Sequence, residues 1–418
     1  MYKLILRVLL TTFAALLFLI SCITWYAYQL DTDIKFPSRP WESLDINLPK
    51  QNEQLKVVFL VTGTRGDFQP ISLIAREFKK NGHSIIISGR KIYQHVMKET
   101  LEFTDEDVLW VPDEEKPCEK IIGASNRFRN PVSQLLNFID FFKHENLRIL
   151  KLMLADERLK DANFLVFAEP MTISGYAFAM IKKIPYAIVK YTHVTIMTNE
   201  HSMVSSPSDK KQPSFLNWLS YQPILLALVL GYHSTFESCQ STYNLAHRPF
   251  YTLFYGNLKY EIPNYYLFSP TIYPVISKRP EWWKYVGPMI LDAGTIPVPT
   301  KNFIESCSNE TLVYVGFVNV IIHHGGAGTT QSAQVSGSMA ISIPIFDEQK
   351  VNSDPSEKLG ISITLDNKEL SEEILEKAIK DALNVKDVPG KAAKIRESTL
   401  GTKYVYEDMM LWLGLKQH

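Results

Sequence analysis

The chain has no excess of either charge: 44 Lys and Arg stand against 44 Asp and Glu over 418 residues, a formal net charge of zero. That removes the broad basic field on which nucleic-acid binding rests. Cysteine is scarce as well. Cys22, Cys118, Cys239 and Cys307 lie far apart and form no C-x-x-C pair. Neither a zinc site nor a disulfide scaffold is indicated, although one or two incidental disulfides stay open. There is no low-complexity tract and no repeat of solenoid period. The first strand-to-helix turn lacks G-x-G-x-x-G, which argues against a dinucleotide-binding oxidoreductase. What remains is an ordinary globular composition, 46% hydrophobic and 21% charged, with length enough for two domains.

One long apolar run is present. Leu9 to Leu30 is almost uninterrupted, with Lys3 and Arg7 before it and Asp31 and Asp33 after it. About 20 apolar residues cross a bilayer as a helix. The run exceeds a usual signal-peptide core and offers a poor cleavage site, and its Trp25, Tyr26 and Tyr28 suit a membrane interface. Residues 1–30 are therefore expected to be a single-pass transmembrane signal anchor, with a cleaved signal peptide as the alternative. The flanking charges place the N-terminal side in the cytosol and the rest in the lumen of an endomembrane. A cytosolic-facing orientation is the other option. The sequon Asn309-Glu310-Thr311 agrees with a lumenal placement, but one sequon is expected by chance.

Residues 31–54 are polar, contain Pro37, Pro40 and Pro49, and read as a linker. A first α/β domain is expected over 55–290. Lys56 to Val61 reads as a buried strand and Gly63 to Asp67 as a turn. Pro70 to Lys80 reads as a helix, closed by Asn81-Gly82, and Ser84 to Ser88 as the next strand. This βαβ unit seeds a parallel sheet. Strands at Phe164–Phe167 and Tyr186–Val189 flank a helix at Ile173–Ile181. Residues 215–260 read as helical; their run Ile224–Leu230 is too short to span a membrane and reads as a packed core helix. His83 reads as a cation at the end of a helix. A linker over 291–310 leads to a second domain, 311–418, with helices near 371–383, 391–398 and 404–414 and a short one at Pro355–Leu359.

The second domain breaks a rule of its own type. Leu312–Phe317 and Val320–Ile322 are separated only by Val318 and Asn319. Consecutive parallel strands need a crossover of a dozen or more residues. Either this is one long strand, or a segment with a helix or two is missing.

The strongest chemical signal is His323-His324-Gly325-Gly326-Ala327-Gly328-Thr329-Thr330, between the strand-like Val320–Ile322 and a helix. A strand that enters a helix through glycines aims free backbone N–H groups and a helix dipole at one spot, which suits phosphate. His324 and the hydroxyls of Thr329 and Thr330 can add side-chain donors; His323 reads as structural. The pairs Asp31/Asp33 and Asp105/Asp107 are weak metal candidates, and no metal site is assigned.

Taken together, the motifs resemble the UDP-glycosyltransferases of the sterol glucosyltransferase-like and antibiotic glycosyltransferase branch. Thr62-Gly63-Thr64-Arg65-Gly66-Asp67-Phe68-Gln69-Pro70, then Asn81-Gly82-His83, resembles their N-terminal signature. Ile321 to Thr330 resembles the donor-site signature, and Ile343-Pro344-Ile345-Phe346-Asp347-Glu348-Gln349 its end. The resemblance implies a GT-B fold, in which two Rossmann-like domains face a cleft. It implies an inverting hexose transfer from a nucleotide sugar such as UDP-glucose to a hydroxyl of a lipid-like or sterol acceptor, without a cofactor or metal. Asp67 would be the general base, beside the acceptor-side turn Thr64, Arg65 and Gly66. His324, Gly325, Gly326, Gly328, Thr329 and Thr330 would hold the diphosphate, and Glu348 and Gln349 the sugar. Two departures stand out. A long segment is missing between Val313-Tyr314-Val315-Gly316-Phe317 and the glycine turn, so the donor domain is incomplete; and Asp347 stands where relatives carry glycine, with Ser332 as a weak ribose partner. A catalytically impaired isoform or an incomplete gene product is the alternative.

Overall fold

The computed structural model describes residues 46–51, 53–63, 65–112, 131–191, 213–246, 262–273, 281–290, 313–314, 319–345 and 347–415. The apolar run Leu9–Leu30 and the linker 291–310 lie outside them. Among the described residues no helix is long and apolar enough to cross a membrane.

Seven strands form the first sheet: β1 (Lys56–Leu60), β2 (Ser84–Arg90), β3 (Val108–Val111), β4 (Phe164–Ala168), β5 (Tyr186–Lys190), β6 (Asn264–Tyr266) and β7 (Trp283–Tyr285). All pairs are parallel, in the order β3-β2-β1-β4-β5-β6-β7. The central strands read as continuous apolar runs because both faces are covered. Helix α1 (Arg65–Lys80) packs Ile71, Ile74 and Phe78 on one face. Helices α2 (Pro131–Ala155), α3 (Thr172–Lys182) and α4 (Ser214–Thr242) cover the other, with Ile149, Phe178 and Phe236 in its core. The strand order reverses at β1, so the crevice beyond the carboxyl ends of β1 and β4 is where such a sheet binds ligands.

Helix α1 starts five residues before Pro70, the expected first residue. A proline in the second turn forfeits one N–H bond, to the Gly66 carbonyl. Gly63, at φ +117°, makes the tight turn into the helix, and Asp67 in the first turn favours its positive end. The far end closes as expected: Gly82 sits at φ +84°, with its N–H on the Lys79 carbonyl and the His83 N–H on the Phe78 carbonyl. His83 is not a helix-end cation. Its Nδ1 accepts from the Leu55 N–H at 3.2 Å, its Nε2 meets the Tyr406 hydroxyl at 3.1 Å, and burial lowers its pKa.

The second sheet has the order β11-β10-β9-β8, from β8 (Val313–Tyr314), β9 (Val320–His323), β10 (Met339–Ser342) and β11 (Ser362–Thr364). β8 and β9 are two parallel strands, with Val313 opposite Val320 and Tyr314 opposite Ile321, so the single long strand is excluded. Residues 315–319 alone join them, far below the usual crossover length. In the first sheet β1 has strands on both sides; among the described residues, β8 has a neighbour on one side only.

Helices α5 (Ala327–Ser336), α6 (Asp347–Lys358), α7 (Glu372–Asn384), α8 (Val388–Glu397) and α9 (Gly401–Trp412) complete the chain. α6 begins eight residues before the expected Pro355. It carries no apolar stripe because it is seated by polar contacts: Ser353 Oγ meets Ser342 Oγ at 2.6 Å, and Gln334 Nε2 donates to Ser356 Oγ at 2.8 Å. α9 was expected with the second domain, yet it packs on α1. Val405, Met409 and Leu413 join the core of the first sheet, Tyr265 donates its hydroxyl to Asp408 at 2.8 Å, and the Leu400 N–H bonds the Val286 carbonyl. A second connection is apolar. Tyr266, Trp283 and Tyr285 of the first sheet, with Phe268 just past β6, share one core with Val320, Met339 and Ile341 of the second.

Met409 is fully buried in this returning helix. Met409→Ala is expected to cost about 2–5 kcal/mol of stability in urea unfolding. A loss below about 1 kcal/mol would show that α9 is not seated in the first core.

Candidate functional site

The glycine-rich turn lies at the carboxyl end of β9. His323 ends the strand, Gly326 is the N-cap of α5, and no side chain caps that helix. The N–H groups of Ala327, Gly328 and Thr329 therefore have no intrahelical acceptor, and the dipole adds partial positive charge there. Gly325 has φ +84° and no room for a side chain: a Cβ would lie 2.7 Å from the Gln349 carbonyl oxygen. His323 is buried, and its Nδ1 accepts the Gly325 N–H at 3.0 Å. Burial, and then the neighbouring His324, lower its pKa to about 4, so it is a neutral ring that braces the turn. His324 is exposed, with its ring over Gly326. Thr329 is exposed too. The Thr330 hydroxyl, by contrast, is buried without a hydrogen-bond partner among the described residues, so of the two threonines only Thr329 presents its side chain outward. Ser332 is engaged locally, its hydroxyl donating to the Gly328 carbonyl at 2.9 Å.

The turn of the first domain faces this one at contact distance. A Cβ on Gly328 would lie 3.0 Å from the Gly66 Cα, so the first turns of α1 and α5 touch backbone to backbone. Two positive helix ends thus converge. Asp67 is the carboxylate in the first turn of α1, folded over Gly63, where a Cβ would lie 2.4 Å from its Oδ2. Arg65 opens α1, and Thr64 lies outside the described residues. Glu348 and Gln349 fall in the first turn of α6. The Gln349 side-chain oxygen accepts from the Ile345 N–H at 2.8 Å, and its carbonyl abuts Gly325. The structure therefore gathers Gly66, Asp67, His324 to Thr329 and the start of α6 at one junction.

Other polar groups at this edge escaped the sequence reading. Tyr191 follows β5 directly, and its carbonyl accepts from Gln331 Nε2 of α5 at 3.3 Å. The buried Glu145 accepts from Thr62 Oγ1 at 3.1 Å and pairs with Arg148 at 2.6 Å. Glu169, just after β4, pairs with Lys190 at 2.5 Å. Thr62, Glu169 and Tyr191 share a signal: each lies one or two residues past the carboxyl end of a parallel strand. Asp105 and Asp107 are already engaged, by Lys98 at 2.7 Å and by Lys79 at 2.7 Å. Among the described residues no group of three His, Cys, Asp or Glu is arranged to hold a metal ion.

Comparison with known proteins bears on the fold and the family. A family profile described as the erythromycin biosynthesis protein CIII-like C-terminal domain matches residues 312–404. A sterol 3-beta-glucosyltransferase of Debaryomyces hansenii is 22% identical over 81% of this chain. The chain spans only 25% of that relative's length, and 33% and 34% of two further yeast sterol 3-beta-glucosyltransferases. Among solved structures, the calicheamicin glycosyltransferase CalG4 aligns over 87% of this chain and 99% of its own, with a TM-score of 0.58 at 14% identity. The enzyme LpCGTa, solved in complex with UDP, aligns over 87% and 100% with a TM-score of 0.51 at 11% identity. At such identities the structural likeness speaks for the fold.

The brace at His323 makes the turn sensitive to acid. The folded-state pKa of about 4 lies below the ordinary value of 6.5, so between these values the unfolded chain binds more protons and stability falls as pH falls. Urea unfolding of wild type against His323→Gln across pH 7 to 4 is expected to show a wild-type loss of up to about 3 kcal/mol that the variant lacks. Parallel pH profiles would contradict the assignment.

Proposed function

Because the chain belongs to the UDP-glycosyltransferases, in the branch of the sterol glucosyltransferases and antibiotic glycosyltransferases with their GT-B fold, we propose that it moves a hexose from a nucleotide sugar to a hydroxyl of a sterol or similar lipid. The observation that carries this reading is the meeting of Gly66 and Gly328, which sets Asp67 of one domain beside the uncapped helix terminus of the other.

The donor is read as UDP-glucose and the transfer as inverting. An alcohol is a weak nucleophile, and Asp67 takes its proton as attack begins. The reacting carbon develops oxocarbenium character. The departing diphosphate gains charge, which the N–H groups of Ala327, Gly328 and Thr329, with His324, stabilise in place. Glu348 and Gln349 are assigned to the sugar hydroxyls. The Debaryomyces relative supports the sterol class, and the UDP complex of LpCGTa supports the donor class. The apolar run Leu9–Leu30 supports a single-pass anchor that keeps the enzyme beside a membrane-dissolved acceptor, with the crevice on the lumenal side and the cytosolic side as the alternative.

One observation favours a second reading, a catalytically impaired form: the five-residue link from β8 to β9 leaves no room for the half-sheet that would complete a nucleotide pocket. Calorimetric titration with UDP separates the two. Micromolar binding is expected for an intact donor site, and absence of binding supports the impaired form. With UDP bound, glucosyl transfer is expected to fall about 10²- to 10⁴-fold in Asp67→Asn, and by a smaller factor in His324→Ala. Wild-type rates in both variants would remove the assigned site.

A further inference from the structure

Tyr191 stands at the junction of the two domains and does nothing in the mechanism described so far. It follows β5, packs its ring against the core under α1, and gives its backbone carbonyl to Gln331 of the donor-side helix α5 at 3.3 Å. Its hydroxyl is buried and has no hydrogen-bond partner among the described residues. Burial, and then the negative charge of Asp67, hold the phenol well above its ordinary pKa, so it keeps its proton at any working pH. A buried donor left unmade is costly, and phenylalanine would fill the same space without that cost. The hydroxyl is explained if a ligand group completes it.

The geometry of nucleophilic attack says which group. An acceptor alcohol offers one proton and two lone pairs. As it attacks, the new O–C bond forms from one lone pair, the bond from carbon to the diphosphate oxygen breaks with its electron pair leaving on the diphosphate, and the hydroxyl proton passes to Asp67. The second lone pair stays unused and accepts a hydrogen bond. We propose that Tyr191 supplies that bond: its hydroxyl and Asp67 grip the same acceptor oxygen, donor on one side and base on the other, and so turn the attacking lone pair toward the sugar. The phenol proton is not transferred. Because the Tyr191 backbone is tied to α5, the acceptor oxygen is registered against the helix that holds the leaving group. This inference rests on the glycosyltransferase reading and names a residue within it.

Tyr191→Phe removes only the oxygen. With the full chain, UDP-glucose and cholesterol in detergent micelles, the variant is expected to keep its melting temperature and its UDP affinity within about twofold while kcat falls about 10- to 100-fold, with a smaller change in the acceptor KM. Fluorine-19 spectra of protein carrying 3-fluorotyrosine give a readout free of turnover. The resonance missing from Tyr191→Phe is expected to move when cholesterol is added to the UDP-loaded protein. Full activity in Tyr191→Phe, an unmoved resonance, or parallel losses of UDP affinity and melting temperature would overturn the role. A wild type that binds no UDP overturns the donor-site reading itself, independently of Tyr191.

Discussion

The backbone contact between Gly66 and Gly328 is the constraint on which the crevice depends. It brings together the first turns of two helices from different domains, each with N–H groups that its own helix cannot satisfy. Two positive ends do not attract one another, so the approach must be held from elsewhere. The aromatic core shared by Tyr266, Phe268, Trp283 and Tyr285 with Val320, Met339 and Ile341 holds it on one side. The return of α9 to the first domain, fixed by Met409 and the Tyr265–Asp408 bond, holds it on another. A side chain at Gly328 would meet the Gly66 backbone, and the two turns would have to shift apart.

The walls of the crevice are stiffened by neutral and polar devices. His323 is kept uncharged and braces Gly325. Gln349 and Ser353 close on the same glycine from α6, and that helix is held by serine, asparagine and glutamine contacts. Asp67 places a carboxylate where two helix termini meet, and their N–H groups and dipoles suit an anion. Under the proposed function, a nucleoside diphosphate would meet those N–H groups and Asp67 would take the proton of the attacking alcohol.

Much of this was legible in the sequence. Strands covered on both faces read as continuous apolar runs, as Lys56–Val61 and Phe164–Phe167 do, and the glycine turns announce themselves by composition. The short link at residues 315–319 was visible from crossover length alone, and parallel pairing of β8 with β9 excludes one long strand. The rest was hidden for physical reasons. Helix α6 packs through polar side chains and leaves no apolar period to find. Pro70 looks like a helix start although it sits in a second turn. The amphipathic pattern of α9 shows that one face is buried but not against which domain. Tyr191 meets Gln331 across 140 positions, a contact that no local pattern encodes.

The central claim is that the converging termini of α1 and α5 form one anion site. A crystal structure of the full chain with UDP tests it most directly. The account predicts the diphosphate on the N–H groups of Ala327, Gly328 and Thr329, with Gly66 and Asp67 as the facing wall. A diphosphate bound away from that junction, or a junction that stays closed and empty at saturating UDP, would contradict it.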